Sequence, residues 1–252
     1  AGAGGKVLAD ALLREAAVAR VEPHPAVVCT LDVFDEAHGA AHVVVEFVKG
    51  GSLAELLERK KVASLSENAV RDIMRDVLSG LAHLHAHRFA HRRLSIRTVL
   101  LATSAPPYRA KLGSLGKALF IPVSASTVLG ALPRHGSGPH ENLSSTIDTP
   151  EHVAPETLGG AAFAPAVDLW AAGIVMFQAL RRGAHPFRGR NLDATLGLIE
   201  AAAAGGGKAK WETKIEGEVG RQCVEVLRRL LEPDPARRAS ASEALEMQWF
   251  IS

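Results

Sequence analysis

The segment 91–116 decides the fold, and it reads HRRLSIRTVLLATSAPPYRAKLGSLG. Pro106 and Pro107 break it between two short apolar runs, which predicts a hairpin. The segment lies in a longer stretch, residues 77–140, that contains no acidic residue. The same stretch contains eight basic residues: Arg88, Arg92, Arg93, Arg97, Arg109, Lys111, Lys117 and Arg134. The stretch therefore carries a concentrated positive charge, which attracts anions.

The composition of the whole chain is ordinary. With 252 residues and 47% hydrophobic content it can form one large domain or two small lobes. A net charge of +2 argues against a nucleic-acid binder. Cys29 and Cys223 are far apart, which predicts reduced thiols of a cytoplasmic protein. No signal peptide is visible, and the most apolar stretch, residues 166–180, is too short to insert in a membrane.

Hydrophobic periodicity divides the chain near residue 48. Residues 7–20 have helical spacing, whereas residues 26–33 and 41–48 are rich in β-branched side chains and predict a hairpin. Helical periodicity follows over residues 53–61, 67–87, 166–181, 192–204, 219–232 and 241–248. Residues 124–147 predict one long loop. We therefore predict two units, a small one at 1–48 and a mainly helical one at 49–252.

Five segments, in the right order, resemble the eukaryotic protein-kinase family. They lie over the family's catalytic loop, its D-F-G turn, the A-P-E end of its activation segment, its D-x-W-x-x-G helix and its terminal D-P-x-x-R pattern. In this chain they are residues 91–101, 111–116, 149–156, 168–173, and 234–240 with 249–250. The closest similarity is to the calcium/calmodulin-dependent and calcium-dependent kinases. The resemblance implies an α+β, two-lobed fold with a reduced N-terminal lobe (helix plus hairpin) and a mainly helical C-terminal lobe.

The same alignment shows where this chain departs from the family's catalytic residues. Arg93 replaces the catalytic Asp, Ser95 the phosphate-contacting Lys, Thr98 the metal-binding Asn and Ser114 the Asp of D-F-G. Phosphate transfer needs a positioned base and cations held by carboxylate and amide ligands. We therefore expect no catalytic residue, no cofactor and no metal: a pseudokinase. A residual nucleotide-binding or active kinase is the least favoured alternative.

Other family residues are retained, and the resemblance implies structural roles for them. They are Glu15, His91, Arg92, Glu156, Asp168, Trp170 and Arg238. In the family, the residue matching Asp168 accepts hydrogen bonds from the catalytic-loop backbone. Those matching Glu156 and Arg238 form a buried ion pair. Glu15 takes the helix position that pairs with the ATP-binding lysine, for which the sequence shows no strand.

The basic stretch predicts a contact for an anionic partner. An acidic or phosphorylated segment of another protein would suit it, and the residues expected there are Arg93, Arg97, Lys111 and Lys117. Drift without function, or neutralisation by Glu15 or Asp76 folding back, are the alternatives. The leading functional prediction is an inactive scaffold or structural subunit of a larger assembly. A pseudokinase that regulates an active kinase is the alternative.

A group of histidines raises the question of a metal site. His83 and His87 lie on one helical face, with His85 between them and His91 in the catalytic-loop motif. No carboxylate lies near them in sequence, so we expect surface and core histidines rather than zinc ligands.

Overall fold

The computed structural model describes residues 17–18, 21–35, 41–59, 65–121, 152–158, 165–204 and 211–251. Glu15, most of the predicted helix 7–20 and the predicted loop 124–147 lie outside these residues. Among the residues described, no helix has the length and apolar character needed to cross a bilayer.

The small unit contains an antiparallel hairpin of β1 (Thr30–Asp35) and β2 (Ala41–Val45). Val33 pairs with Val43 and Phe34 with His42, and the register is irregular between Thr30 and Asp32. Successive strand residues point to opposite faces. Because Val33 and Phe34 are both exposed, neither face of the hairpin is covered.

The large unit is mainly helical. Its helices are α1 (Leu53–Arg59), α2 (Glu67–Ala86), α3 (Pro155–Leu158), α4 (Ala166–Leu180), α5 (Leu192–Ala203), α6 (Arg221–Leu230), α7 (Ala241–Leu245) and α8 (Gln248–Ile251). Side-chain caps fix several starts: Ser66 accepts a hydrogen bond from Ala69, and Ser240 forms a capping box with Glu243. Protein kinase-like architecture, with a small strand-containing lobe and a helical lobe, is thus confirmed.

Two short sheets connect the helices. The strands β4 (Val99–Leu101) and β5 (Ala110–Leu112) form the hairpin predicted around Pro106 and Pro107. The strand β3 (Phe89–Ala90) pairs with β6 (Leu119–Phe120). This second pairing brings the two ends of the segment 89–120 together, so the catalytic-loop motif and the D-F-G position share one small region.

The core of the large unit surrounds α4. Every residue from Val167 to Leu180 is buried, as expected for a helix that is apolar on all sides. The helix α2 packs against α4 on one side and against β5 on another. Trp170 is fully buried, and its ring stacks on Phe187 with centroids 5.4 Å apart. This rigid centre positions the segments that carry the candidate site.

Candidate functional site

Asp168, in the first turn of α4, anchors the loop that follows β3. Its carboxylate accepts hydrogen bonds from the backbone amides of His91 and Arg92, each at 2.8 Å, and from His85 Nε2 at 2.9 Å. Burial alone would raise the pKa of Asp168, but the hydrogen bond and charge of His85 outweigh it and hold that pKa below its usual value. Asp168 therefore stays ionised and fixes the backbone of the loop.

The loop 91–98 is closed by its own polar side chains. Thr98 Oγ1 accepts from the amide of Ser95 at 2.9 Å and donates to the carbonyl of Arg93 at 2.9 Å. His91 Nε2 donates to the carbonyl of Gly113 at 3.0 Å, and its Nδ1 accepts from the amide of Arg93. Since burial lowers the pKa of His91, the ring stays neutral and keeps this tautomer. Ser95 and Thr98 therefore hold the loop together internally and are buried.

The four residues predicted as anion contacts have different surroundings. Arg97 is exposed and has no ion pair among the described residues, whereas Arg93 is half-buried. Lys111 Nζ lies 2.7 Å from Glu46 Oε1, so its charge is already paired. The side chain of Lys117 lies outside the described part of the structure. Of the three members whose side chains the structure describes, Arg97 is thus the exposed one that is open to a partner.

Acidic residues from outside the basic stretch fold back onto it, as one of the alternatives anticipated. Asp76 on α2 lies 3.1 Å from Arg109 and also accepts from the amide of Ala110. Glu46, which follows β2, pairs with Lys111 and accepts from the amide of Cys29 at 2.8 Å. Neutralisation of the basic stretch is therefore partial, and it is concentrated at the β5 side.

Ser114, at the D-F-G position, is exposed and has a left-handed backbone conformation with φ of 62°. A serine in this region is strained, since its Cβ crowds the backbone. Its side chain makes no capping hydrogen bond to the 3₁₀ turn Leu115–Lys117 that follows. The strain is imposed by the surroundings, because His91 holds Gly113 and the amide of Gly113 donates to Thr98 O at 2.9 Å.

Glu156 and Arg238 form the ion pair that the resemblance implied. The guanidinium binds both carboxylate oxygens, at 2.7 and 2.9 Å, and its remaining donors reach the carbonyls of Ala166, Glu232 and Pro233. It also lies over the Trp170 ring, 5.3 Å from the centroid. The pair ties the segment 152–158 to the start of α4.

His152 links that segment directly to the loop. It is buried, and its Nδ1 donates to the carbonyl of Leu94 at 3.1 Å. Burial lowers the pKa of His152 to about 4. Together with Glu46 and His85, it is a site residue that sequence reasoning missed. The partners of all three lie far away in sequence, so the chain offers no local signal for them.

These elements define a protein kinase-like fold with its loop, D-F-G turn and A-P-E segment in place. The comparisons with known proteins agree: the family model described as "Protein kinase domain" matches residues 4–250, and the chain belongs to that family.

The relatives include "Serine/threonine-protein kinase 33" of Bos taurus, 26% identical over 239 residues, which are 95% of this chain and 46% of the relative. "Calcium-dependent protein kinase 8" of Arabidopsis thaliana is 26% identical over 227 residues, 90% of this chain and 38% of the relative. The "Serine/threonine-protein kinase H1 homolog" of Pinctada fucata is 27% identical, with 94% and 52% covered. This chain therefore spans about half, or less, of the relatives it matches.

These comparisons correct the functional prediction made from the sequence. The prediction of an inactive scaffold, a pseudokinase without enzymatic activity, is contradicted because the relatives are named serine/threonine-protein kinases, which points to an enzyme. The prediction rested on the replacements at four positions of the catalytic motifs, and these replacements alone do not establish inactivity. The positions are Arg93, Ser95, Thr98 and Ser114. The predicted similarity to calcium-dependent kinases is confirmed.

The donor set around the loop does not fit the magnesium ions that the kinase family uses with its nucleotide. Magnesium prefers carboxylate oxygens, whereas Thr98 Oγ1 is engaged within the loop and Ser114 offers only a hydroxyl. Asp168 already accepts three hydrogen bonds. Among the described residues, no cluster of histidine, cysteine and carboxylate side chains has metal-binding geometry.

Proposed function

We propose that this chain is a kinase-family domain that acts on or binds other proteins, and that it recognises a segment rich in acidic or phosphorylated residues next to the loop 91–98. The relatives' names make a serine or threonine side chain the phosphate acceptor to be tested. The observation that carries the proposal is Arg97, exposed and without an ion pair among the described residues, on a loop whose backbone is fixed by Asp168.

The loop 91–98 and the segment 152–158 are held to each other, which supports recognition of a partner at the face that they form together. His152 binds Leu94 O in the loop, while Glu156, four residues further on, is fixed by Arg238. A protein segment that lies on both elements therefore meets a preformed surface, which lowers the entropic cost of binding. Arginine suits carboxylate and phosphate groups through paired hydrogen bonds.

The test is binding and phosphorylation of a peptide array. Each serine- or threonine-containing peptide is offered with neighbouring residues changed to Asp, to Lys or to phosphoserine. We expect Asp- and phosphoserine-containing peptides to bind best, with affinity that falls as salt is raised. Incubation with labelled ATP and magnesium, followed by mass spectrometry, then separates phosphorylated substrates from bound partners.

A pair of charge-matched variants locates the face. Arg97→Ser removes the exposed loop charge, and Arg221→Ser removes an exposed charge on α6. We expect Arg97→Ser to weaken binding of the acidic peptides by about 2–5-fold and to reduce the salt dependence, as for one exposed charge pair. Equal effects of the two variants, or no preference for acidic peptides, would show that the face is wrongly assigned.

A further inference from the structure

Three imidazole rings contact one another where the small unit joins the large one, the first pair stacked and the second tilted. His24 lies in the linker that leads to β1, and His83 and His87 lie at the C-terminal end of α2. The ring centroids of His24 and His83 are 4.7 Å apart, and those of His83 and His87 are 4.5 Å apart. We call His24, His83 and His87 the histidine clamp. None of them belongs to the site described above.

Hydrogen bonds fix His24 in one neutral tautomer. Its Nδ1 accepts from the backbone amide of Ala26 at 3.2 Å, so that nitrogen carries no proton. Its Nε2 lies 3.3 Å from Ser79 Oγ on α2 and is therefore the protonated nitrogen. Protonation of Nδ1 would place two hydrogens face to face and break the bond to Ala26.

A second contact links α2 to the linker, because the His83 side chain hydrogen-bonds the backbone of Glu22. His87 Nδ1 donates to His83 O at 2.9 Å, a bond within the end of α2 that holds the third ring in place. A proton on one ring of the clamp is disfavoured by a proton on the next, since like charges would lie within 5 Å.

The linker is also held by contacts outside the histidine clamp, and Ala26, Val27 and Val28 are buried. Ala26 and Val28 exchange backbone hydrogen bonds with Leu112 of β5, at 2.8 and 2.9 Å. A Cβ on Gly80 of α2 would lie 2.8 Å from Ala26 O, so the linker lies directly on the helix. A small cleft borders this contact, lined by His24, His83 and apolar side chains such as Val27 and Leu115.

We propose that the histidine clamp is an acid-sensitive latch that fastens the linker, and with it the hairpin β1–β2, to α2 while the rings are neutral and releases it when they are protonated. Asp76 raises the pKa of His24 and Glu22 raises that of His83, but desolvation of the rings outweighs both. Asp76 is already bound to Arg109 and Ala110, Lys111 is cationic and paired with Glu46, and Glu22 is exposed. This inference does not depend on the proposed function.

The direction of the pH effect follows from the burial of the rings. Desolvation and the neighbouring His83 lower the pKa of His24, and desolvation and His87 lower that of His83. The open state then binds protons more readily than the closed one. The contacts of the histidine clamp are complete above the ordinary histidine pKa of about 6.5. They weaken as the pH falls below that value.

Hydrogen exchange read by mass spectrometry tests the latch, with the full chain compared at pH 7.2 and pH 5.5. Intrinsic exchange rates are corrected for pH, and EDTA is present so that no stray metal bridges the histidines. We expect protection of amides 24–28 to fall by about 10-fold at pH 5.5. The comparison is made in a His152→Asn background, because titration of that buried ring also lowers the stability of the large unit between pH 7.2 and pH 5.5. In this background, protection of α4 should change much less, and a loss in 24–28 no greater than in α4 overturns the proposal.

Matched variants assign the response to the clamp. In His24→Asn, the amide oxygen can accept from Ala26 as Nδ1 does, but the side chain does not titrate. We expect this variant to lose the acid response, while His42→Asn, on exposed β2, retains it. An unchanged response in His24→Asn overturns the latch.

A direct titration of the parent chain keeps the test independent of variant folding. The ring signals of His24 and His83, followed by NMR, should titrate below the ordinary histidine value and with a coupled, broadened curve. Independent titration of both rings at or above that value overturns the proposal.

Discussion

The core of the large unit and the hairpin of the small unit are built in opposite ways. In α4 every residue from Val167 to Leu180 is buried, whereas Phe47 just after β2 is 86% exposed and Phe34 in β1 is 52% exposed. An isolated two-stranded hairpin is marginally stable in water. The order of the site therefore depends on the large unit, and the hairpin adds little to the free energy of unfolding.

The largest expected change in the free energy of unfolding lies in the large unit, at the ion pair between Glu156 and Arg238. Glu156→Ala leaves a fully buried guanidinium without its carboxylate, so we expect it to lower the free energy of unfolding by about 3–5 kcal/mol. Denaturant unfolding followed by circular dichroism measures the change. The double variant Glu156→Ala, Arg238→Ala should cost less than the sum of the single changes.

An exposed pair nearby serves as the control. Arg237 lies 3.7 Å from Glu232, with its side chain 73% exposed. Arg237→Ala should therefore change the free energy of unfolding by less than about 0.5 kcal/mol. If Glu156→Ala costs no more than Arg237→Ala, the buried pair does not have the role assigned to it here.

Acid should act on the large unit through His152. Its pKa in the folded chain is about 4, below the ordinary value of 6.5, so the unfolded chain takes up the proton first as the pH falls. The contribution of His152 to the free energy of unfolding is fully present above about pH 6.5. It decreases by roughly 3 kcal/mol as the pH falls to about 4.

His152→Asn separates this group from the other histidines. The asparagine amide can donate to Leu94 O in place of Nδ1, but it does not titrate. We expect the loss of stability between pH 6.5 and pH 4 to be smaller in this variant by roughly 3 kcal/mol. Parallel stability curves for the variant and the parent would mean that His152 is charged, or solvated, in the folded chain.

The smallest expected change in the free energy of unfolding lies in the small unit, at Phe47 just after β2. Phe47→Ser removes an exposed ring, and we expect the free energy of unfolding to change by less than about 0.5 kcal/mol. Leu81→Ala, at a fully buried position on α2, should cost about 2–5 kcal/mol by the same measurement. A large decrease in the free energy of unfolding for Phe47→Ser would show that the two units are stabilised together. The hairpin would then contribute to stability as the core around α4 does.

The sequence predicted the helices well because their signals are local. The prediction for α2 was 67–87 and its bounds are Glu67–Ala86, set by the cap at Ser66 and by helical periodicity. The predicted strand 26–33 was displaced, and β1 is Thr30–Asp35. Ala26 and Val28 bind Leu112 instead of β2, and no local pattern indicates such a distant partner.

The predicted helix 241–248 is also different in the structure. It consists of α7 (Ala241–Leu245) and α8 (Gln248–Ile251). Both segments bury apolar side chains, so the periodicity continues across the break and conceals it.

The candidate site was predictable only in part. Asp168 and the pair Glu156–Arg238 come from motif positions, and their contacts are present in the structure. The pairing of Lys111 with Glu46 joins residues 65 positions apart, so the sequence placed Lys111 among residues open to a partner. The charge pattern of the sequence gives the sign of the net charge of a region. The tertiary fold decides which of the charged side chains remain unpaired.

The left-handed backbone at Ser114 restricts which side chains suit this position. Aspartate, asparagine and glycine tolerate this conformation better than serine does. The shape of the turn is maintained by Gly113 and its partners and does not depend on the side chain at position 114. A carboxylate introduced here by Ser114→Asp therefore fits the turn with no rebuilding of the main chain around it.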